Sequence, residues 1–142
     1  MRPGDPLPPD RGGAGLFRDP DKALNDCDYG TWRGRTLDEV TAADPAAVHA
    51  WLTDPRAVPH GGESTQDLLT RVGTWLDTLP RDHQRIVAIT TPAVIKAAVV
   101  HAIHGTPASF WRIDVPPLSR TELSGRPTSW TLRMRSGHST GG

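Results

Sequence analysis

The segment RIVAITTPAVIKAAVVHAIHG, residues 85–105, constrains the fold more than any other part of the chain. Ile86, Val87, Ala88 and Ile89 form an unbroken apolar run, the pattern of a strand covered on both faces, so a central strand is expected over 85–90. Pro92 suits the first position of a helix, and Val94, Ile95, Val99, Val100 and Ile103 then recur almost all round it. The helix, expected over 92–104, must be largely buried, and Gly105 suits its C-cap. Thr91 stands at the turn between the two elements. That is where open α/β sheets bind ligands, at the carboxyl ends of their strands.

Further elements are legible on either side. TLDE at 36–39 is a capping box, with Thr36 accepting from the backbone of Glu39 and Glu39 reaching back. DPAAVHAWLTDP starts a second helix with Asp44 as N-cap and Pro45 at the first helical position, and stops it at Asp54-Pro55. Ser64 caps a third helix, whose Leu68, Val72, Trp75, Leu76 and Leu79 fall on one core-facing side. Thr106-Pro107 opens another turn. RTELS and SWTLRMR around GRPT form an expected hairpin in which Trp130, Leu132 and Met134 alternate with polar neighbours. The order helix, helix, helix, strand, helix, strand, strand fits an α/β layered domain with a mixed sheet and helices on its faces.

The first twenty residues hold nine Pro or Gly and show no apolar period, so residues 1–21 are expected to be an irregular arm, and 136–142 a flexible tail. The domain between them spans 22–135. Its 142-residue chain is enough for one moderate core. Net charge is zero and the isoelectric point is near 7.0, which gives no basic field for nucleic acid or an anionic membrane. Cys27 stands alone, so neither an internal disulfide nor a cysteine metal cage can form. No leader or long apolar span occurs, and a cytoplasmic location is expected.

Four segments then carry a resemblance. LNDCDYGTWRGRTLDEV (24–40), WLTDPRAVPHGGESTQDLLTRVGTWLDTL (51–79), AITTPAVIKAAVVHAI (88–103) and FWRIDVPPLSRTELS (110–124) resemble, in order and spacing, the distal part of the histidine phosphatase superfamily. The branch is the phosphoglycerate mutase-like one, with α-ribazole phosphatase and fructose-2,6-bisphosphatase, and the resemblance covers residues 22–134. It implies an incomplete phosphoglycerate mutase-like layered fold, shortened at its N-terminus and lacking the catalytic histidines. The family uses a nucleophilic His in Arg-His-Gly, a second His, two phosphate-binding Arg and a carboxylic acid, because phosphoryl transfer needs cationic clamps and a proton donor. No Arg-His-Gly occurs here. Thr91 aligns with the second His, Asp26 with the acid, and Glu63 matches outright. Trp32 and Ser64 flank them as possible ligand-lining residues.

Each candidate has a plainer reading beside the functional one. Thr91 is the N-cap of the 92–104 helix or part of an anion site at its N-terminus. Asp26 is a turn residue or a surviving general acid one methylene shorter than Glu. Glu63 is a first-turn charge complementing the helix dipole or a substrate ligand. His101 and His104 lack a third metal ligand, His60 lacks a partner for a nucleophile's role, and Cys27 has no cation beside it. The five Trp are most simply packing residues. No cofactor or metal is expected.

Two function classes follow. One is a degenerate family member without phosphatase activity that binds a small molecule, neutral because two carboxylates disfavour an anion, or binds a protein partner. The other is a non-phosphatase enzyme of a biosynthetic pathway that uses Asp26, Glu63 and Thr91 for acid/base steps such as isomerisation, cyclisation or dehydration. The resemblance also implies that the strand at 85–90 lacks its usual neighbour; the five prolines of the arm 1–21 argue against its crossing the gap as a paired strand, so a homodimer mate or a separately encoded partner is expected to cover the open edge.

Overall fold

The computed structural model describes residues 16–17, 22–79 and 86–135. In chain order the regular elements are β1 (Leu16–Phe17), α1 (Leu37–Ala43), α2 (Pro45–Thr53), α3 (Thr65–Asp77), β2 (Ile86–Val87), α4 (Pro92–Ala102), β3 (Arg120–Arg126) and β4 (Ser129–Arg135). Short 3-10 turns occupy Lys22–Leu24, Gly30–Trp32 and Pro107–Arg112.

The caps form as the sequence dictates. Thr36 and Glu39 make the reciprocal capping box of α1, the Asp44 carboxylate accepts from Ala47 N–H at α2, and the Ser64 hydroxyl accepts from Asp67 N–H at α3. Each such cap contributes about 1 kcal/mol by satisfying a donor that the helix cannot. The end of α4 differs from expectation. The helix stops at Ala102, and His104, not Gly105, takes the left-handed conformation at φ 56°. His104 N–H donates to His101 O and Gly105 N–H to Val100 O, the paired bonds of a Schellman ending.

Strand pairing departs further. Parallel and antiparallel pairs both occur, but in two separate two-stranded sheets, β1 with β2 and β3 with β4. The arm therefore supplies a strand, Leu16 opposite Ile86 and Phe17 opposite Val87, where an irregular segment was expected. None of its five prolines falls at these two positions, so nothing blocks the ladder there. The rest of the arm and the 136–142 tail lie outside the described residues. β2 ends at Val87, short of the expected end at residue 90, and beyond it the Thr90 hydroxyl bonds Leu24 O at 2.8 Å; residue 85 lies outside the described residues. Nor is the strand covered on both faces: Val87 and Ala88 are exposed.

The core lies between α3 and α4. Leu68, Leu69 and Val72 meet Val94, Ala97 and Val100, and Trp51 of α2, Cys27 and Phe110 close the cluster. The buried face of α3 takes in Leu69 and leaves Trp75 and Leu79 only half-buried. On α4 the small Ala97 and Ala102 face inward, and Ile103, expected in the core, is 50% exposed. Gly73 of α3 makes room for the His101 ring of α4, whose Nε2 bonds Asp77 at 2.9 Å.

Two loops cross at glycines, and their crossing positions the site. Thr31 N–H donates to His60 O at 2.9 Å and Glu63 N–H to Asp28 O at 2.7 Å. A Cβ on Gly30 would strike His60 O, and one on Gly62 would strike Asp28 O, both backbone atoms. Gly30 also has φ +50°, whereas Gly34, at φ +80°, has open space around it. Gly30→Ala and Gly62→Ala are expected to lose about 2–4 kcal/mol each, and Gly34→Ala only about 1 kcal/mol, in urea denaturation. Equal midpoints for the three variants would show that the loops do not cross this closely.

Candidate functional site

Asp26, Cys27 and Asp28 follow the turn at Lys22–Leu24 and run past the N-terminus of α4. Asp26 Oδ1 accepts from the Thr91 hydroxyl and from Cys27 N–H, both at 2.8 Å. Thr91 has N-cap backbone geometry, but its side chain makes no cap bond and its hydroxyl instead donates to Asp26. The acceptor beside this helix end is thus the protein's own carboxylate.

Glu63 faces another way. Arg71 grips it with two nearly parallel bonds, Nε to Oε2 at 2.9 Å and Nη2 to Oε1 at 2.8 Å, in a pair mostly shielded from water. Arg71 Nη1 also donates to Ala23 O at 2.7 Å and Asn25 O at 2.9 Å, with Lys22 O farther off at 3.4 Å. The guanidinium so ties three parts of the chain together, and hydrogen bonding to Glu63 raises its pKa. Glu63 is then neither a solvated first-turn charge nor a free ligand. Breaking such a shielded pair by removing one partner is far more damaging than its net contribution suggests.

Between the two carboxylates lies Cys27, 5% exposed, its thiol 3.8 Å from Glu63 O. Burial, reinforced by Glu63 and Asp26, pushes its pKa up to about 12, which leaves an inert thiol. The same burial pushes the Tyr29 phenol up, so it is no acid at neutral pH. Asp28 caps Gly30 N–H at 2.9 Å and meets Arg33, and both interactions hold its carboxyl below the usual range.

On the far side of the crossed loops is an aromatic cluster. His60 is 1% exposed, with ring centroids 4.6 Å from Trp51, 5.0 Å from Trp32 and 6.0 Å from Tyr29. Its Nδ1 accepts from Gly62 N–H at 2.9 Å, so the proton of the neutral ring sits on Nε2, which has no polar partner among the described residues.

The structure thus joins Asp26 to Thr91 directly and brings Glu63 to them only through Cys27 and the Arg71 clamp. Trp32 belongs to the aromatic cluster. Ser64, 3% exposed, is not available to line a ligand site, because its hydroxyl caps α3. Arg71 was missed in the sequence, because Glu63 lies in the loop before the Ser64 cap and no helical period links it to a residue two turns into α3. Among the described residues no group of three or more His, Cys, Asp or Glu could hold a metal, and no helix is long and apolar enough to cross a membrane.

With this geometry the comparison with known proteins is decisive over most of the chain. The model of the histidine phosphatase superfamily, branch 1, matches residues 12–136. This chain belongs to that superfamily. The match takes in residues 12–21 of the arm, beyond the segment in which the resemblance was legible. A glucosyl-3-phosphoglycerate phosphatase of Mycolicibacterium vanbaalenii is 34% identical over 101 residues, 66% of this chain and 45% of that protein. The adenosylcobalamin/α-ribazole phosphatase of Salmonella typhimurium is 28% identical over 95 residues, 65% of this chain and 47% of that one. The chain so spans less than half the length of these curated relatives. The crystal structure of α-ribazole phosphatase from Shigella flexneri superposes with a TM-score of 0.68, covering 82% of this chain and 59% of that chain at 23% identity, which confirms the α/β fold.

His60 gives this family member a measurable pH signature. Burial lowers its pKa against the opposing pull of Asp28, so the folded state takes up the proton less readily than the unfolded chain, whose imidazole titrates near 6.5. Stability is then independent of this group well above 6.5 and falls as pH drops through that value. Urea midpoints between about pH 8 and pH 5 should fall more steeply for the wild type than for His60→Gln. Parallel curves would mean that the ring is not held neutral.

Proposed function

We propose that this histidine phosphatase superfamily member does not hydrolyse phosphomonoesters and serves as a binding module for a neutral, hydroxylated small molecule at Asp26 and Thr91. The 2.8 Å bond between these two side chains carries the reading. A threonine hydroxyl stands where the resemblance places the second histidine, and a neutral hydroxyl supplies no cation to a phosphoryl group. Asp26 already presents negative charge beside the N-terminus of α4, where a phosphate would meet repulsion. Arg71 is spent on Glu63 and on backbone carbonyls, so it offers no clamp. What remains is an acceptor for ligand hydroxyls, the kind of group present in the glucosyl moiety named in the Mycolicibacterium relative.

A second reading rests on the same contact. A carboxylate bonded to a hydroxyl is a proton-transfer pair, which would suit acid/base chemistry such as isomerisation, cyclisation or dehydration on a small molecule of a biosynthetic pathway. The two readings differ in whether a bound compound is returned unchanged, which mass spectrometry of a co-purifying ligand before and after incubation reports.

For phosphatase chemistry the expectation is plain. The purified protein should not hydrolyse p-nitrophenyl phosphate above background, and Thr91→His should not create activity, since one histidine replaces neither a nucleophile nor its clamps. Turnover that disappears in Asp26→Ala would overturn the proposal.

The same reading extends to assembly. Among the described residues β2 has one neighbour, β1, and its Val87 and Ala88 are exposed in an apolar run. Such an edge recruits other strands. We propose that a second chain covers it, as a homodimer or a complex with a separately encoded partner, with an interface above about 1,000 Å². Light scattering at micromolar concentration should give more than the monomer mass for the protein alone or with its co-purifying partner; a stable, unaccompanied monomer would refute this.

A further inference from the structure

The β3–β4 hairpin has two unlike faces. Its register pairs Thr121 with Met134, Leu123 with Leu132 and Gly125 with Trp130 on one side. Leu123, Trp130 and Leu132 are half-buried there, and β4 lies against α4. The other side carries the pairs Arg120–Arg135, Glu122–Arg133, Ser124–Thr131 and Arg126–Ser129. Arg120, Arg126 and Arg133 are exposed on it. Glu122 is the one acid among these eight positions and approaches Arg120 at 3.6 Å. Three exposed arginines, Arg120, Arg126 and Arg133, against one glutamate make this face distinctly cationic in a chain of zero net charge.

Arg126 has only Ser129 opposite it, and Glu122, the register partner of Arg133, also approaches Arg120, so positive charge outnumbers the acid beside it. A partner that brings carboxylates would offset that excess. Neither outer edge of the hairpin pairs with another strand among the described residues, so backbone donors and acceptors stand beside the cations. On β4, positions 133 and 135 are consecutive on the cationic side, about 6.8 Å apart, the spacing at which alternate residues of an extended strand repeat.

We propose that the β4 edge of this hairpin binds an extended acidic segment of a partner protein, added as a third strand with its alternate carboxylates beside the arginines. Backbone pairing gives the segment its place, and the charges select it. Nucleic acid fits less well, because the chain as a whole has no positive field to gather a polyanion. The surface is separate from Asp26 and Thr91 and does not rest on the function proposed for them.

Fluorescence anisotropy of the full chain with a labelled peptide of alternating Glu and Thr tests this. Binding is expected at about 20 mM salt, at least about tenfold weaker at about 300 mM, and absent for the Lys-Thr counterpart. Arg133→Glu and the double variant Arg120→Ser/Arg133→Ser should each lose about tenfold or more, with thermal unfolding confirming that the hairpin is intact. Arg35→Ser/Arg56→Ser, at exposed arginines outside the hairpin, should bind as the wild type does. A peptide N-methylated at alternate residues should bind far more weakly, because it cannot pair with a strand edge. No binding at low salt, equal loss in both sets of arginine variants, unchanged affinity of the methylated peptide, or tighter binding of duplex DNA than of the acidic peptide would each overturn the proposal.

Discussion

The Arg71 guanidinium organises the region around the candidate site. It stands two turns into α3 and reaches back over Glu63 to the carbonyls of residues 22–25, so a single side chain joins the start of the main helix to the loop that presents Asp26. A planar fork with five donors can do this, and a lysine could not hold the same geometry. The pair costs desolvation, which the surrounding carbonyls offset by occupying the remaining N–H groups. Once Glu63 is held, its backbone N–H meets Asp28 O, and Gly62 is drawn against Asp28 as Gly30 is drawn against His60.

The aromatic cluster is the apolar counterpart of that clamp. His60, Trp51, Trp32 and Tyr29 pack edge to face, each pair worth about 0.5–1.5 kcal/mol beyond burial. The clamp fixes one side of the crossed loops and the rings fix the other. Between them the backbone of residues 26–31 has little freedom, and this lets a short, exposed carboxylate such as Asp26 be found at one defined place beside α4.

That place is where this superfamily member pairs its own polar groups. In this chain β2, the turn after it and α4 bring the helix end against the loop that carries Asp26. Here the turn ends in Thr91, and its hydroxyl satisfies the carboxylate that it meets. The scaffold therefore persists with its polar groups paired to one another.

Much of this was legible along the chain because it depends on neighbours in sequence. The capping box at Thr36, the caps at Asp44 and Ser64, the helices they begin, and the hairpin around Pro127-Thr128 follow from local donors, acceptors and allowed dihedrals. Asp26 and Thr91 were singled out by the resemblance that the flanking motifs carry, not by local chemistry. The extent of β2, the strand contributed by Leu16 and Phe17, the inward turn of Ala97 and Ala102 in place of Ile103, and the burial of His60 were not legible. Each depends on which surface arrives from a distant part of the chain, and an apolar run or a lone histidine carries no record of that. The use of the Thr91 hydroxyl shows the division most clearly. Sequence placed the residue at the head of a helix, where its oxygen could accept from a backbone N–H; the tertiary fold brought Asp26, sixty-five residues earlier, within 2.8 Å, and the hydroxyl donates to that charged acceptor while making no cap bond.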